Sequence, residues 1–80
     1  MGRARRLRPK HLGKKLKQIR EILELSQVSM AEALDFDTVH PTNISGYERG
    51  LREPPYPVLL RYARLIGVST DVLIDDKLNL

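Results

Sequence analysis

Gly50 closes the stretch Ile44-Ser45-Gly46-Tyr47-Glu48-Arg49-Gly50, and prolines follow at positions 54, 55 and 57. Glycine just past a C-cap stops a helix. Proline lacks the backbone donor a helix needs and pushes the residue before it into an extended conformation. An extended loop is therefore required from Leu51 until Pro57, which itself suits the first turn of a following helix. The chain must be assembled from short segments on the two sides of that loop.

Those segments carry helical periodicity. Ahead of the loop, Ile44 and Tyr47 sit three apart and share one face, while Thr42, Asn43, Ser45 and Gly46 fall on the other and offer only polar or small groups. Pro41 fits the first turn there, which predicts a helix over 41–49. Further upstream, Leu12, Leu16, Ile19, Ile22 and Leu23 step by three and four, predicting a helix from Leu12 to Leu25 with Lys14, Lys15 and Lys17 near its outer face. Ser26 is a good N-cap for a short helix over 27–34 that places Met30, Ala31 and Leu34 on one side, and Asp35 to His40 reads as a turn. After the loop, Val58, Leu59, Tyr62, Ala63, Leu65 and Ile66 predict a fourth helix that stops at Gly67. Ser69 caps a fifth, with Asp71 near its positive end and Asp75-Asp76 at a solvated end. With no strand signal, the expected fold class is all-α, a compact five-helix bundle over residues 11–80.

Residues 1–10 contain Gly2 and Pro9 and show no apolar periodicity, so they read as a flexible basic arm. Arg3, Arg5, Arg6, Arg8 and Lys10 lie there. Residues 11–80 hold nine cations against ten carboxylates, a net −1, so the positive balance of the chain (+4 formally) lies in the arm. The plain alternative is a solvated tail. Eighty residues are expected to make one domain, with no room for a deep substrate cleft or a second, ligand-sensing domain. With no cysteine there is no disulfide framework or thiolate metal site, and a reducing cytoplasm is the natural compartment. His11 and His40 lack partners at ligand spacing, so neither a metal nor a cofactor is expected, and no constellation suits catalysis. The apolar runs are too short for a membrane span, and no apolar signal core follows the basic start, so a soluble, unprocessed protein is expected.

Taken together, Leu12-Gly13, Leu16, Arg20, Leu25-Ser26-Gln27, Ala31, Leu34, Ile44-Ser45, Tyr47-Glu48-Arg49-Gly50, Pro54, Leu59, Ala63, Gly67-Val68-Ser69 and Leu73 resemble the lambda repressor-like helix-turn-helix family, of Cro/cI or XRE type. The resemblance runs over about residues 12–76, and it is the order and spacing of these elements that carries it. It implies a helix-turn-helix at about 27–49 whose second helix lies in the major groove of double-stranded DNA. By the same resemblance, Thr42, Asn43, Ser45 and Gly46 match base-reading positions, and Asn43 has a side chain able to pair with an adenine edge. Gln27, Arg49 and Arg52 match phosphate contacts, while Arg20 and Glu48 match a pair that braces the recognition helix. On the residues alone, Asn43 suits a cap at its own helix start, Gln27 a solvated N-terminus, and Arg49 and Arg52 ordinary surface cations. Tyr47, Tyr62 and Phe36 lie at core-facing registers, which favours packing over base stacking.

Two features depart from the family pattern. Seven residues separate Phe36 from Ile44, a longer turn than usual, which makes Pro41 and Thr42 less fixed in register than the residues from Asn43 onward. Val28 stands where a polar residue is usual and, with Val39, would form a small exposed apolar spot open to a protein partner. The resemblance implies a sequence-specific DNA-binding regulator, a repressor acting as a homodimer and nucleoid-associated when bound. Two rival readings stay open: an antitoxin that also binds its own promoter, and a protein-interaction module that has lost DNA reading.

Overall fold

A computed structural model of the protein describes residues 9–80. Arg3, Arg5, Arg6 and Arg8 lie outside the described residues. The helices are α1 (Leu12–Ile22), α2 (Gln27–Leu34), α3 (Pro41–Glu48), α4 (Tyr56–Leu65) and α5 (Thr70–Ile74), with no strand among the described residues. The all-α five-helix architecture is as expected. α1 packs on α3 and α5, α2 on α3 and α4, and α4 on α5. Leu16, Ile19, Met30, Leu34, Ile44, Tyr62 and Leu73 are fully buried where these helices meet.

α1 ends three residues before the expected Leu25. Its stop is a Schellman turn: Leu25 N–H donates to Arg20 O and Glu24 N–H to Glu21 O, both at 3.0 Å. Glu24 sits in the left-handed region at φ 57, where glycine is the usual occupant. A side chain in that region costs roughly 1–2 kcal/mol. Glycine in its place adds about 0.4–1 kcal/mol of unfolded-state entropy. The balance favours the smaller residue, so Glu24→Gly should raise stability by about 0.5–1 kcal/mol in urea unfolding. A loss of stability would mean that Glu24 makes a contact worth more than its strain. α2 also ends on a residue in the left-handed region, Asp35 at φ 58, whose N–H points at Ala31 O and Glu32 O, and Arg61 of α4 secures that end. Arg61 Nη1 donates to Leu34 O at 3.0 Å, and the guanidinium lies 5.0 Å from the centre of the Phe36 ring.

Three expectations are corrected. Lys15 is buried, at 4% exposure, rather than on the outer face of α1. Helical phase explains it, because position 15 lies between Leu12 and Ile19 on the apolar stripe. Its ammonium donates to Val72 O at 2.8 Å and Asp75 O at 2.9 Å, capping the negative end of α5. Asp76 is not merely a solvated end: its carboxylate accepts the backbone N–H of Lys10 at 2.9 Å and of His11 at 3.1 Å. Those two bonds hold the Asp76 carboxyl below the usual aspartate range. The backbone of Lys10 therefore belongs to the domain rather than to a loose arm. Finally, Val28 is exposed but Val39 is buried, so the two form no shared apolar spot. A turn closed by Val39 N–H donating to Phe36 O at 3.1 Å carries Val39 into the core.

Candidate nucleic-acid interface

α3 is held from three sides. Ile44 and Tyr47 bury its inner face, as their spacing requires. At its start, Pro41 occupies the first turn and the His40 N–H donates to Asn43 Oδ1 at 2.8 Å, so Asn43 does cap its own helix. Its side-chain N–H₂ remains available to donate. At the other end, the Glu48 carboxylate receives Arg20 through two bonds, Nε to Oε2 at 2.7 Å and Nη2 to Oε1 at 3.0 Å. Arg20 Nη1 also donates to Leu25 O at 3.0 Å, so a single guanidinium ties the end of α3 to the turn before α2. The bond to Glu48 is the main reason the guanidinium is held above its ordinary pKa. The Gln27 side chain joins this cluster through Nε2 to Glu48 Oε1 at 3.3 Å, and so turns toward α3.

Gly13 sets how closely α1 approaches this end. A Cβ built at Gly13 would stand 2.7 Å from Glu48 O and 2.8 Å from Tyr47 O. Only a residue without a side chain lets the two helices meet there.

The outward side of α3 differs in one respect from its sequence pattern. Thr42 is exposed and Asn43 and Ser45 are half-buried, whereas Gly46 is buried. A Cβ on Gly46 would lie 2.9 Å from Arg52 Cδ and 3.1 Å from Arg52 Cγ, so the Arg52 stem crosses the helix at this glycine. Gly46 O also accepts the N–H groups of Leu51 and Arg52, at 2.9 and 3.2 Å, which folds the chain after α3 back along it. Gly46 thus seats Arg52 instead of facing outward. The outer row along α3 is exposed Thr42, half-buried Ser45 and exposed Arg49, positions that fall in line on a helix.

Charge is unequal along that row. Arg49 and Arg52 are exposed at the C-terminal end of α3, where Lys14 and Lys10 line the same groove with Pro9 and Gly13. Asp35 and Asp37 are exposed in the turn before α3. An anionic polymer is attracted at one end of the helix and repelled at the other. Lys14 joins this groove through α1, and no local spacing in the sequence pointed to it. Among the described residues no group of three or more His, Asp or Glu could hold a metal ion, and no helix is long and apolar enough to cross a membrane.

Comparison with known proteins agrees with this geometry. A family model described as helix-turn-helix matches residues 16–73. The HTH-type transcriptional regulator ImmR of Bacillus subtilis (strain 168) is 40% identical over 63 residues, which is 79% of this chain and 47% of that protein. The chain thus spans about half the length of this curated relative. Among solved structures, the P22 c2 repressor protein, crystallised with synthetic operator 9T in the presence of Tl⁺, superposes with a TM-score of 0.70 at 25% identity. That match covers 81% of this chain and 94% of the other.

Proposed function

Because this chain belongs to the lambda repressor-like helix-turn-helix family, of Cro/cI type, we propose that it is a sequence-specific DNA-binding regulator of transcription that lays α3 in the major groove. The observation that carries this reading is the outer row of exposed Thr42, half-buried Ser45 and exposed Arg49 on a helix braced from behind by the Arg20–Glu48 pair. Rigid backing matters because base recognition needs side chains held in register with base edges. Two relatives support it: ImmR by its name as a transcriptional regulator, and the P22 c2 repressor by its complex with an operator.

Within this proposal the residues divide into reading and holding. Thr42, Ser45 and the free N–H₂ of Asn43 read base edges, while Arg49 and Arg52 hold phosphates at the C-terminal end of α3. Gln27 supplies a backbone N–H at the start of α2, where the helix dipole favours a phosphate, and its side chain stays with Glu48. The arginines at 3, 5, 6 and 8 add cations that require no particular sequence. Repression by occupancy and pairing of two copies on a two-fold site complete the proposal, in the cytoplasm with the nucleoid.

The test separates the two groups. Asn43→Ala should cost about 1–3 kcal/mol on the best site and relax preference at one base pair, measured by binding to a panel of single-substitution duplexes. Arg52→Ala should weaken binding to every duplex alike and lower the slope of log affinity against log salt by about 1. An equal loss on all duplexes for Asn43→Ala would reduce that residue to its capping role. A flat salt dependence for the unaltered protein would leave only a protein-interaction module.

A further inference from the structure

Arg49 belongs to two surfaces at once. It ends the outer row of α3, and it also lines a groove of about 430 Å³ that Arg49 and Arg52 enter from the end of α3 and Lys10 and Lys14 from the start of α1. Charge is gathered there. Residues 9–80 hold ten cations and ten carboxylates, and four of those cations line the groove against two carboxylates, Glu48 and Glu53. Glu48 is neutralised by its two bonds from Arg20, at 2.7 and 3.0 Å. All four groove cations are exposed, and the first turn of α1 carries no acidic residue to oppose them. The backbone holds the groove in shape. Gly13 lets the start of α1 stand against the carbonyls of Tyr47 and Glu48, which brings the next residue, Lys14, beside the end of α3. From the other side the Asp76 carboxylate accepts the Lys10 and His11 N–H groups at 2.9 and 3.1 Å and fixes the backbone from which α1 begins.

We propose that Lys14 is a DNA-holding residue: across the groove from Arg49, it grips the phosphodiester backbone of the strand that leaves the C-terminal end of α3, so that the start of α1 makes a second contact with the duplex. This rests on the DNA-binding reading above. Continuity is the physical reason. A DNA strand carries one charge about every 3.4 Å of helix axis, so a backbone held at Arg49 presents further phosphates along the groove. Asp35 and Asp37 repel the strand at the opposite end of α3, which leaves the groove as its favoured course. Lysine suits the task, because its ammonium is a point charge on a flexible stem and needs no fixed geometry at the phosphate. Such a contact carries no base information and serves every sequence alike.

A contact is separated from general charge by removing one cation in each of two places. Four versions of the full chain are compared: unaltered, Lys14→Gln, Lys14→Arg and Arg64→Gln. Arg64 is exposed on α4, which packs on α2 and α5, and it does not line the groove. Each version is titrated into a short fluorescent duplex of mixed sequence between about 50 and 200 mM salt. Lys14→Gln should lower the slope of log affinity against log salt by about 0.9, the share of one neutralised phosphate, and weaken low-salt affinity several-fold. Lys14→Arg should keep the parent slope. Arg64→Gln, with the same change in net charge, should keep it as well.

An unchanged slope for Lys14→Gln overturns the proposal, and leaves the DNA-binding reading intact if the slope of the unaltered chain is steep. Equal losses for Lys14→Gln and Arg64→Gln also overturn it, because net charge would then account for both. So does a Lys14→Arg protein that loses as much as Lys14→Gln, since the cation would not be what matters. Salt-independent binding by the unaltered chain sinks the proposal and the DNA-binding reading together. Lys14 and Arg64 are both exposed, so all four versions should melt together, and a melt of each confirms that the slopes compare folded proteins.

Discussion

Arg20→Ala is expected to destabilise the fold by about 3 kcal/mol, a drop in Tm of roughly 12–24 °C for a domain of this size. The Glu48 side chain is only 5% exposed and that of Arg20 16%, so neither charge is well solvated without the other. Truncating Arg20 strips two charge-assisted bonds from a nearly buried carboxylate and leaves it the Gln27 amide at 3.3 Å. It also removes the Nη1 bond to Leu25 O, which ties α1 to the turn before α2. An exposed arginine such as Arg52 should cost about 0.5 kcal/mol when truncated. The loss at Arg20 should persist in high salt, because a shielded pair is screened far less than a surface one. Thermal melts of the two variants at low and high salt decide the matter; equal midpoints would show that the pair braces nothing.

Gly13→Ala should cost about 1–3 kcal/mol, at the upper end of that range, although it adds a single methyl group. What the new Cβ meets determines the size of the effect. At 2.7 and 2.8 Å from Glu48 O and Tyr47 O it would press on backbone, which cannot rotate aside as a side chain can. Relief requires α1 and the last turn of α3 to separate, which would also strain the Arg20–Glu48 bonds and tilt the exposed row. Gly46→Ala gives the control. Its Cβ would meet the flexible stem of Arg52, which can swing away, so its cost should be smaller. Urea unfolding of both variants tests the ranking, and a Gly13→Ala protein as stable as the parent would rule out the close approach.

Local signals served well where local chemistry decided the outcome. α2 lies where Ser26 and its apolar spacing place it, with Ser26 Oγ accepting the Ser29 N–H at 3.0 Å. The prolines hold the loop open, and α4 begins at Tyr56 with Pro57 in its first turn. The end of α1 was hidden because the residue in left-handed geometry is Glu24, which carries none of glycine's signal. The charge of Lys15 argues for the surface, whereas its helical phase puts it on the buried stripe. The spacing of Gly46 puts it on the outer face, but the stem of Arg52, set by the chain after the helix, returns to cover it. The link from Asp76 to Lys10 joins residues 66 apart, and no pattern along the chain announces such a contact.

That same link has a kinetic meaning. Two exposed hydrogen bonds cannot by themselves offset the chain entropy of drawing residues 66 apart together. They can form only after α1 and α5 have docked and the Lys15 ammonium has found Val72 O and Asp75 O. The contact thus closes only after α1 and α5 have docked, and it is expected to open in the native state without any helix unfolding. Amide exchange at Lys10 and His11 should then report a small, local opening that runs far ahead of exchange in the core.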